Sequence, residues 1–271
     1  MMKQLARLQF SSFQIKVPQN WKQPQGDPAA KHYSDAFTSS EKATSPVAAA
    51  PPLVIPHTMN KYHTDTQKMI HGKIGSFLDG ISDAICSAWQ AWMLGASYVG
   101  VIIASATASA GQVVCPVMMG PLIIAQGPKS TPMEMKYTAA VANVINTQFP
   151  LYSVGIKLTG MPLYPAFVSP LPTGPAPPMI NTPMPLKSVS KAQKLLSKSV
   201  MKPMMIAALG DPMAPMHKEL FDAVCDGVEK TLEMWEATTM LSNIMCAGAV
   251  AGFPVGPVVG TGIAPPGAAF V

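Results

Sequence analysis

The chain has 271 residues and a net charge of +5, with only 12% charged residues against 48% hydrophobic ones, and it is rich in Pro (28), Gly (20) and Met (20). A disordered chain is charge-rich and poor in apolar residues, so that class is excluded for most of the length, and the chain is long enough to bury a substantial core. Ordinary proteins carry about 25% charge; with so little, a monomer would have trouble covering its surface with well-hydrated groups, which points to cover by other copies or other chains.

Three tracts hold no Asp, Glu, Lys, Arg or His: Ala84 to Pro128, Leu158 to Leu186 and Ala237 to Val271. Cys86, Cys115, Cys225 and Cys246 are widely spaced without a C-x-x-C pair, which suits small buried hydrophobes more than a metal or disulfide set. The start MMKQLARLQFSSFQIKV lacks the continuous apolar run of a secretory signal, and a cytosolic origin is expected.

In chain order, residues 1–56 read as an extended N-terminal arm. Leu8 to Val17 partly alternates apolar and polar residues, which suits one strand, and the repeated prolines that follow forbid a long helix. Such an arm would add a strand to, or wrap around, a neighbouring subunit. From about Met69, Ile70, Ile74, Phe77, Leu78, Ile81, Ile85, Trp89 and Trp92 recur at steps of three and four, the mark of an amphipathic helix that runs into the first uncharged tract. A second helix is expected after Ser130-Thr131-Pro132, with a hydroxyl cap, Pro in the first turn and Glu134 at the positive end of the dipole, and it should continue to about Thr147. Nine prolines between Leu158 and Leu186 leave no room for a regular element and suggest extended chain laid on a protein surface.

The last third carries two charge stripes. Lys187, Lys191, Lys194, Lys198 and Lys202 line one helical face, and Glu219, Asp222, Asp226, Glu229, Glu233 and Glu236 line another. Gly210, Pro212 and Pro215 break the chain between them, so a helical hairpin would set the stripes antiparallel, Lys202 near Glu219 and Lys187 near Glu233, with Pro203 expected to kink or end the basic helix. Solvated faces account for such stripes; the sharper reading is electrostatic matching, within the hairpin or between subunits, that sets register. Behind the acids, Leu220, Phe221, Val224, Val228, Leu232 and Trp235 make an apolar face.

With an offset of 143, Leu78, Asp79, Ile81, Asp83, Ile85 and Trp92 fall on Phe221, Asp222, Val224, Asp226, Val228 and Trp235. Both stretches lead through Ala/Ser/Cys-rich sequence into Gly-Pro turns, so two pseudo-repeated helix-plus-loop units are expected. The uncharged tracts raise the alternative of an integral membrane protein with one span near Trp89 to Ala110, although small residues and prolines weaken that case.

The AW-x-x-W helix, GQVVCPVMMGPLIIAQGPKS, LTGMPLYPAFVSPLPTGPAPPMINTP and PVGPVVGTGIAPPG together resemble virion structural proteins of tailed bacteriophages, particularly those with contractile tails, over roughly residues 70–262. The resemblance implies a non-enzymatic tail or baseplate subunit present in several copies, assembled in the host cytoplasm and located in the virion, with other tail proteins and copies of itself as partners.

No P-loop, dinucleotide-binding, nucleophile-elbow or H-E-x-x-H motif occurs. His57, His63, Asp65 and His71 match no compact zinc module, and His217 and Cys225 lack the companions a nucleophile needs. No cofactor, metal or catalytic residue is expected. Nucleic-acid binding is not expected either, since Arg7 is the only arginine and acids flank the lysine stripe. The sequence therefore predicts a mainly α-helical, loop-rich subunit divided into an arm (1–56), a first helical unit (57–157), a Pro-rich connector (158–186) and a second helical unit with an uncharged tail (187–271). Trp89, Trp92, Trp235 and the two charge stripes are its candidate interface residues.

Overall fold

The computed structural model describes residues 1–15, 61–104, 107–162, 179–180, 183–186, 193–250 and 258–271. Within them lie six α-helices: α1 (Met2–Ser12), α2 (Lys61–Gly95), α3 (Met119–Gln126), α4 (Pro132–Val154), α5 (Lys198–Leu209) and α6 (His217–Thr238). The strands are β1 (Ser97–Ala104), β2 (Thr107–Val114), β3 (Leu158–Pro162), β4 (Met179–Ile180), β5 (Met184–Pro185), β6 (Met240–Leu241), β7 (Met245–Val250) and β8 (Val258–Ala264). β5 pairs with β6; the other six form one antiparallel sheet in the order β3-β2-β1-β8-β7-β4.

The sheet corrects the mainly α expectation: the fold is mixed α and β. Its long strands come from the first and third uncharged tracts, which the sequence presented as a helix continuation and as loops. Strands declare themselves by alternation of apolar and polar residues. Here one face is buried and the other carries Ile, Thr, Ser and Gly, so no alternation marks the period. Each expected helix-plus-loop unit is in fact a helix followed by a β-hairpin, α2 by β1–β2 and α6, after the short β6, by β7–β8. The proposed span Trp89–Ala110 is likewise divided, since α2 ends at Gly95 and β1 begins at Ser97. Among the described residues no helix is long and apolar enough to cross a membrane.

The extended arm is corrected at its start. Residues 2–12, where a strand was expected from Leu8, form α1, which buries Met2, Ala6 and Phe10, one turn apart, between α2 and α6. The remainder of the arm, 16–60, lies outside the described residues, as does most of the Pro-rich connector. At α4 the expected cap is present: Thr131 Oγ1 accepts from the Glu134 N–H and Glu134 Oε2 accepts from the Thr131 N–H, each at 3.1 Å. This helix runs past Thr147 to Val154 through Pro150. Phe149 is held edge-on by Trp89 and Trp92, with ring centroids at 5.6 and 4.8 Å, and that packing carries the helix beyond its proline.

One apolar core extends from Met2 to Ala269. Tyr98 fixes the sheet to it: its hydroxyl lies 3.0 Å from the Ile156 carbonyl and 3.1 Å from the Ala110 carbonyl, and it accepts from the Leu158 N–H at 3.1 Å. Opposite it, Gly111 has φ +77, and a Cβ there would stand 2.4 Å from the Tyr98 ring. Only glycine meets both demands.

Candidate assembly interface

The candidate site residues fall into three groups. The tryptophans belong to the interior of one chain. Trp89 and Trp92 are buried; Trp89 stacks edge-on with Trp235 at 5.3 Å, and Phe270 of the C-terminal tail closes the cluster against Trp92 (5.6 Å) and Trp235 (5.5 Å).

The charged stripes meet within the chain. Lys202 Nζ stands 2.5 Å from Asp222 Oδ1, and Lys198 Nζ lies 3.4 Å from both Asp222 Oδ2 and Asp226 Oδ1. Glu229 Oε2 accepts from the Lys198 backbone N–H at 3.0 Å, a carboxylate at the start of α5. The pairing is antiparallel, as a hairpin requires, with Lys202 opposite Asp222 and not Glu219. The basic helix differs from expectation: α5 begins at Lys198 and continues through Pro203 to Leu209, while Lys194 sits in a 3-10 turn, Gln193–Leu196. Lys187 and Lys191 lie outside the described residues. Glu219 is half-buried, Glu233 exposed, and Glu236 fully buried with its Oε1 accepting from the Tyr152 hydroxyl at 2.7 Å.

Burial pushes the Asp222 carboxyl up, but hydrogen bonds from Lys202 and Gln9 together with the charges of Lys198 and Lys202 outweigh it and hold the group below its ordinary value. Desolvation pulls Lys198 down, and the charges of Asp222 and Asp226 more than reverse it.

The same construction appears a second time, at a place the sequence did not single out. Arg7 grips Asp79 with two hydrogen bonds, Nε to Oδ1 at 2.7 Å and Nη2 to Oδ2 at 2.5 Å, and Lys3 Nζ lies 2.6 Å from Asp83 Oδ2. A basic pair four residues apart on α1 thus faces an acidic pair four apart on α2, antiparallel, just as Lys198 and Lys202 face Asp226 and Asp222. Asp79 and Asp83 are the residues that the offset of 143 aligns with Asp222 and Asp226. Each half of the chain therefore holds a basic helix, an acidic helix and a β-hairpin. The hairpins lie side by side as β2-β1-β8-β7, with β1 and β7 running the same way, so the halves are related by a step across the sheet and not by a twofold turn.

The third group was not foreseen as residues, only as tracts. No residue of any described strand is Asp, Glu, Lys, Arg or His. Inward-facing Tyr98, Val101, Ile103, Ala108, Val113 and Ala264 are buried, whereas Ile102 and Ile263 on the opposite face are 55% and 54% exposed, with Met245 cross-strand from Ile263 and Thr261 cross-strand from Ile102. Antiparallel sheets that face water carry polar residues there, and exposed edges carry charge. This sheet has exposed hydroxyl and amide groups, at Thr107, Gln112 and Thr261, but no charge on its described strands.

His217 and Cys225 are structural: Nδ1 donates to the Ala214 carbonyl at 2.7 Å, and the thiol is buried beside the Met205 sulfur. His57 lies outside the described residues, and nothing is described of the side chains of His63 and Asp65. Among the described residues no group of three or more His, Cys, Asp or Glu is placed to hold a metal ion.

Compared with known proteins, the chain matches no family model, no curated protein and no solved structure.

Proposed function

We propose that this chain is a non-enzymatic structural subunit of a multimeric particle, a tail or baseplate component of a tailed bacteriophage, acting through packing against copies of itself and other virion proteins. The observation that carries this reading is the charge-free sheet. The 36 residues of the six strands, at about 3.3 Å along each strand and about 4.8 Å between strands, present roughly 600 Å² per face. Two such faces together bury roughly 1,200 Å², the lower end of specific interfaces. A surface that offers no charge to water gains by being covered, at about 25 cal/mol per Å² of apolar area before the costs of association. The stepwise repetition of the two halves supports the same reading, because such relations build rings and stacks. The style and order of the Pro- and Gly-rich segments support the virion assignment.

Light scattering on the purified full chain at micromolar concentration tests the assembly reading: a mass of several chains is expected, and a monomer at every concentration overturns it. Mass spectrometry of gradient-purified phage particles encoded with this chain tests the virion assignment. Absence of its peptides from tails and baseplates overturns that part.

A further inference from the structure

The two basic helices do the same job on tethers of very different length. α5 reaches α6 through the short turn 210–216, which leaves it no acidic helix but its own. α1 is separated from α2 by residues 16–60, about 45 residues that lie outside the described ones and, as a length of chain, can reach up to about 150 Å. The dock that α1 occupies is fully built by other parts of the chain. Asp79 and Asp83 of α2 receive Arg7 and Lys3, Asp222 of α6 accepts from Gln9 Nε2 at 2.9 Å, and Gly227 of α6 opens a notch in which a Cβ would lie 3.3 Å from the Ala6 Cβ and from the Met2 carbonyl.

From this geometry we infer that α1 is an exchangeable arm: in the assembled particle the dock between α2 and α6 of one copy is filled by α1 of a second copy. The contacts need no redesign, because the same ion pairs, the same notch and the same buried Met2, Ala6 and Phe10 serve equally within a chain or between two. What changes is only the tether, and at assembly densities a neighbour's arm competes with the chain's own on comparable terms. The occupant is specified by charge and shape. A helix entering this dock needs cations four residues apart facing the acids and a small residue facing Gly227, and α1 supplies both. The inference rests on the assembly reading above and names the partner as another copy of this chain.

Cross-linking decides it. The Cβ separation at the notch is close to the roughly 3.5–4.5 Å of a disulfide. The full chain carrying Ala6→Cys and Gly227→Cys together is assembled and oxidised, with the parent chain as a blank for the native thiols, and its mass is read under denaturing, non-reducing conditions. Covalent dimers and longer ladders are expected. An assembled particle whose cross-links all lie within single chains overturns the exchange and leaves the assembly reading standing, whereas a monomer throughout overturns both. A charge-reversal pair gives a readout that does not depend on the cysteines folding. Arg7→Glu and Asp79→Arg chains should each assemble poorly alone and recover at least tenfold in assembled fraction when co-expressed. Recovery in the single chain that carries both changes, but none in the mixture, rules exchange out.

Discussion

Lys202 Nζ lies 2.5 Å from Asp222 Oδ1 across the α5–α6 hairpin, and the carboxylate of Asp222 is 9% exposed while the lysine keeps 31% of its side chain in water. The acid is thus fixed in the protein while its partner reaches in from the edge. The same asymmetry holds for Lys198 and Asp226. Such half-buried pairs differ from surface ion pairs, which contribute about 0–1 kcal/mol, because removing the cation leaves a buried carboxylate without its partner.

Replacing Asp222 with Asn should therefore lower stability by about 1.5–3 kcal/mol at pH 7, the range for hydrogen bonds to charged groups. The carboxyl is held below its ordinary value, so its contribution is complete above that value and is lost as pH falls through 3.8 and below. Urea unfolding at pH 7 and pH 3 checks both points: the gap between parent and variant should be smaller at the lower pH. An equal gap at both would show that the charge of Asp222 plays no part.

At Gly227, two substitutions should separate. Ala adds helix propensity worth about 1 kcal/mol but sets its methyl 3.3 Å from that of Ala6, so its net effect is small. Leu cannot enter the notch and should lift α1 from α6. Hydrogen exchange reads this locally: amides of residues 2–12 lose at least tenfold in protection while those of α4 and α6 keep theirs.

The buried carboxylate of Glu236 is a third point of leverage. Its Oε1 accepts from Tyr152 at 2.7 Å at a site with no exposure. Glu236→Ala leaves the tyrosine hydroxyl without this acceptor and opens space beside the aromatic cluster. A loss of about 2–4 kcal/mol is expected in thermal or urea unfolding. A Tyr152→Phe change, which removes the donor and little volume, should cost less than Glu236→Ala.

Ile102→Lys with Ile263→Lys places two charges on the open face of the sheet without touching the core. The unfolding midpoint of the isolated chain should move little, since surface changes are usually within about 0.5 kcal/mol, while the assembled mass by light scattering falls toward that of one chain. Unchanged assembly would remove this face from the interface.

Several elements were legible residue by residue. The α2 stripe from Ile74 to Trp92, the Thr131-Pro132-Glu134 start of α4 and the apolar face of α6 are local patterns at a period of 3.6, and each reappears in the fold as read. For the charged stripes the spacing left two readings open, solvated faces or an antiparallel hairpin, and the hairpin reading set Lys202 by Glu219, whereas its partner is Asp222. Prolines misled in one direction: Pro150 and Pro203 sit inside helices because Phe149, Tyr152, Met201 and Met205 are buried around them, and that burial offsets the lost backbone bond.

What the sequence determined by itself was the distribution of charge: which stretches are silent, which carry stripes, and that two acidic stretches share a pattern. What only the tertiary structure decided was the conformation of those silent stretches and the partner of the first acidic pair. A segment without charge, in which small and hydroxyl residues are scattered among apolar ones, displays no sharp period, and helix or strand is then chosen by what it pairs with far along the chain. Asp79 and Asp83 find Arg7 and Lys3 more than seventy residues away, a distance over which no local pattern carries information.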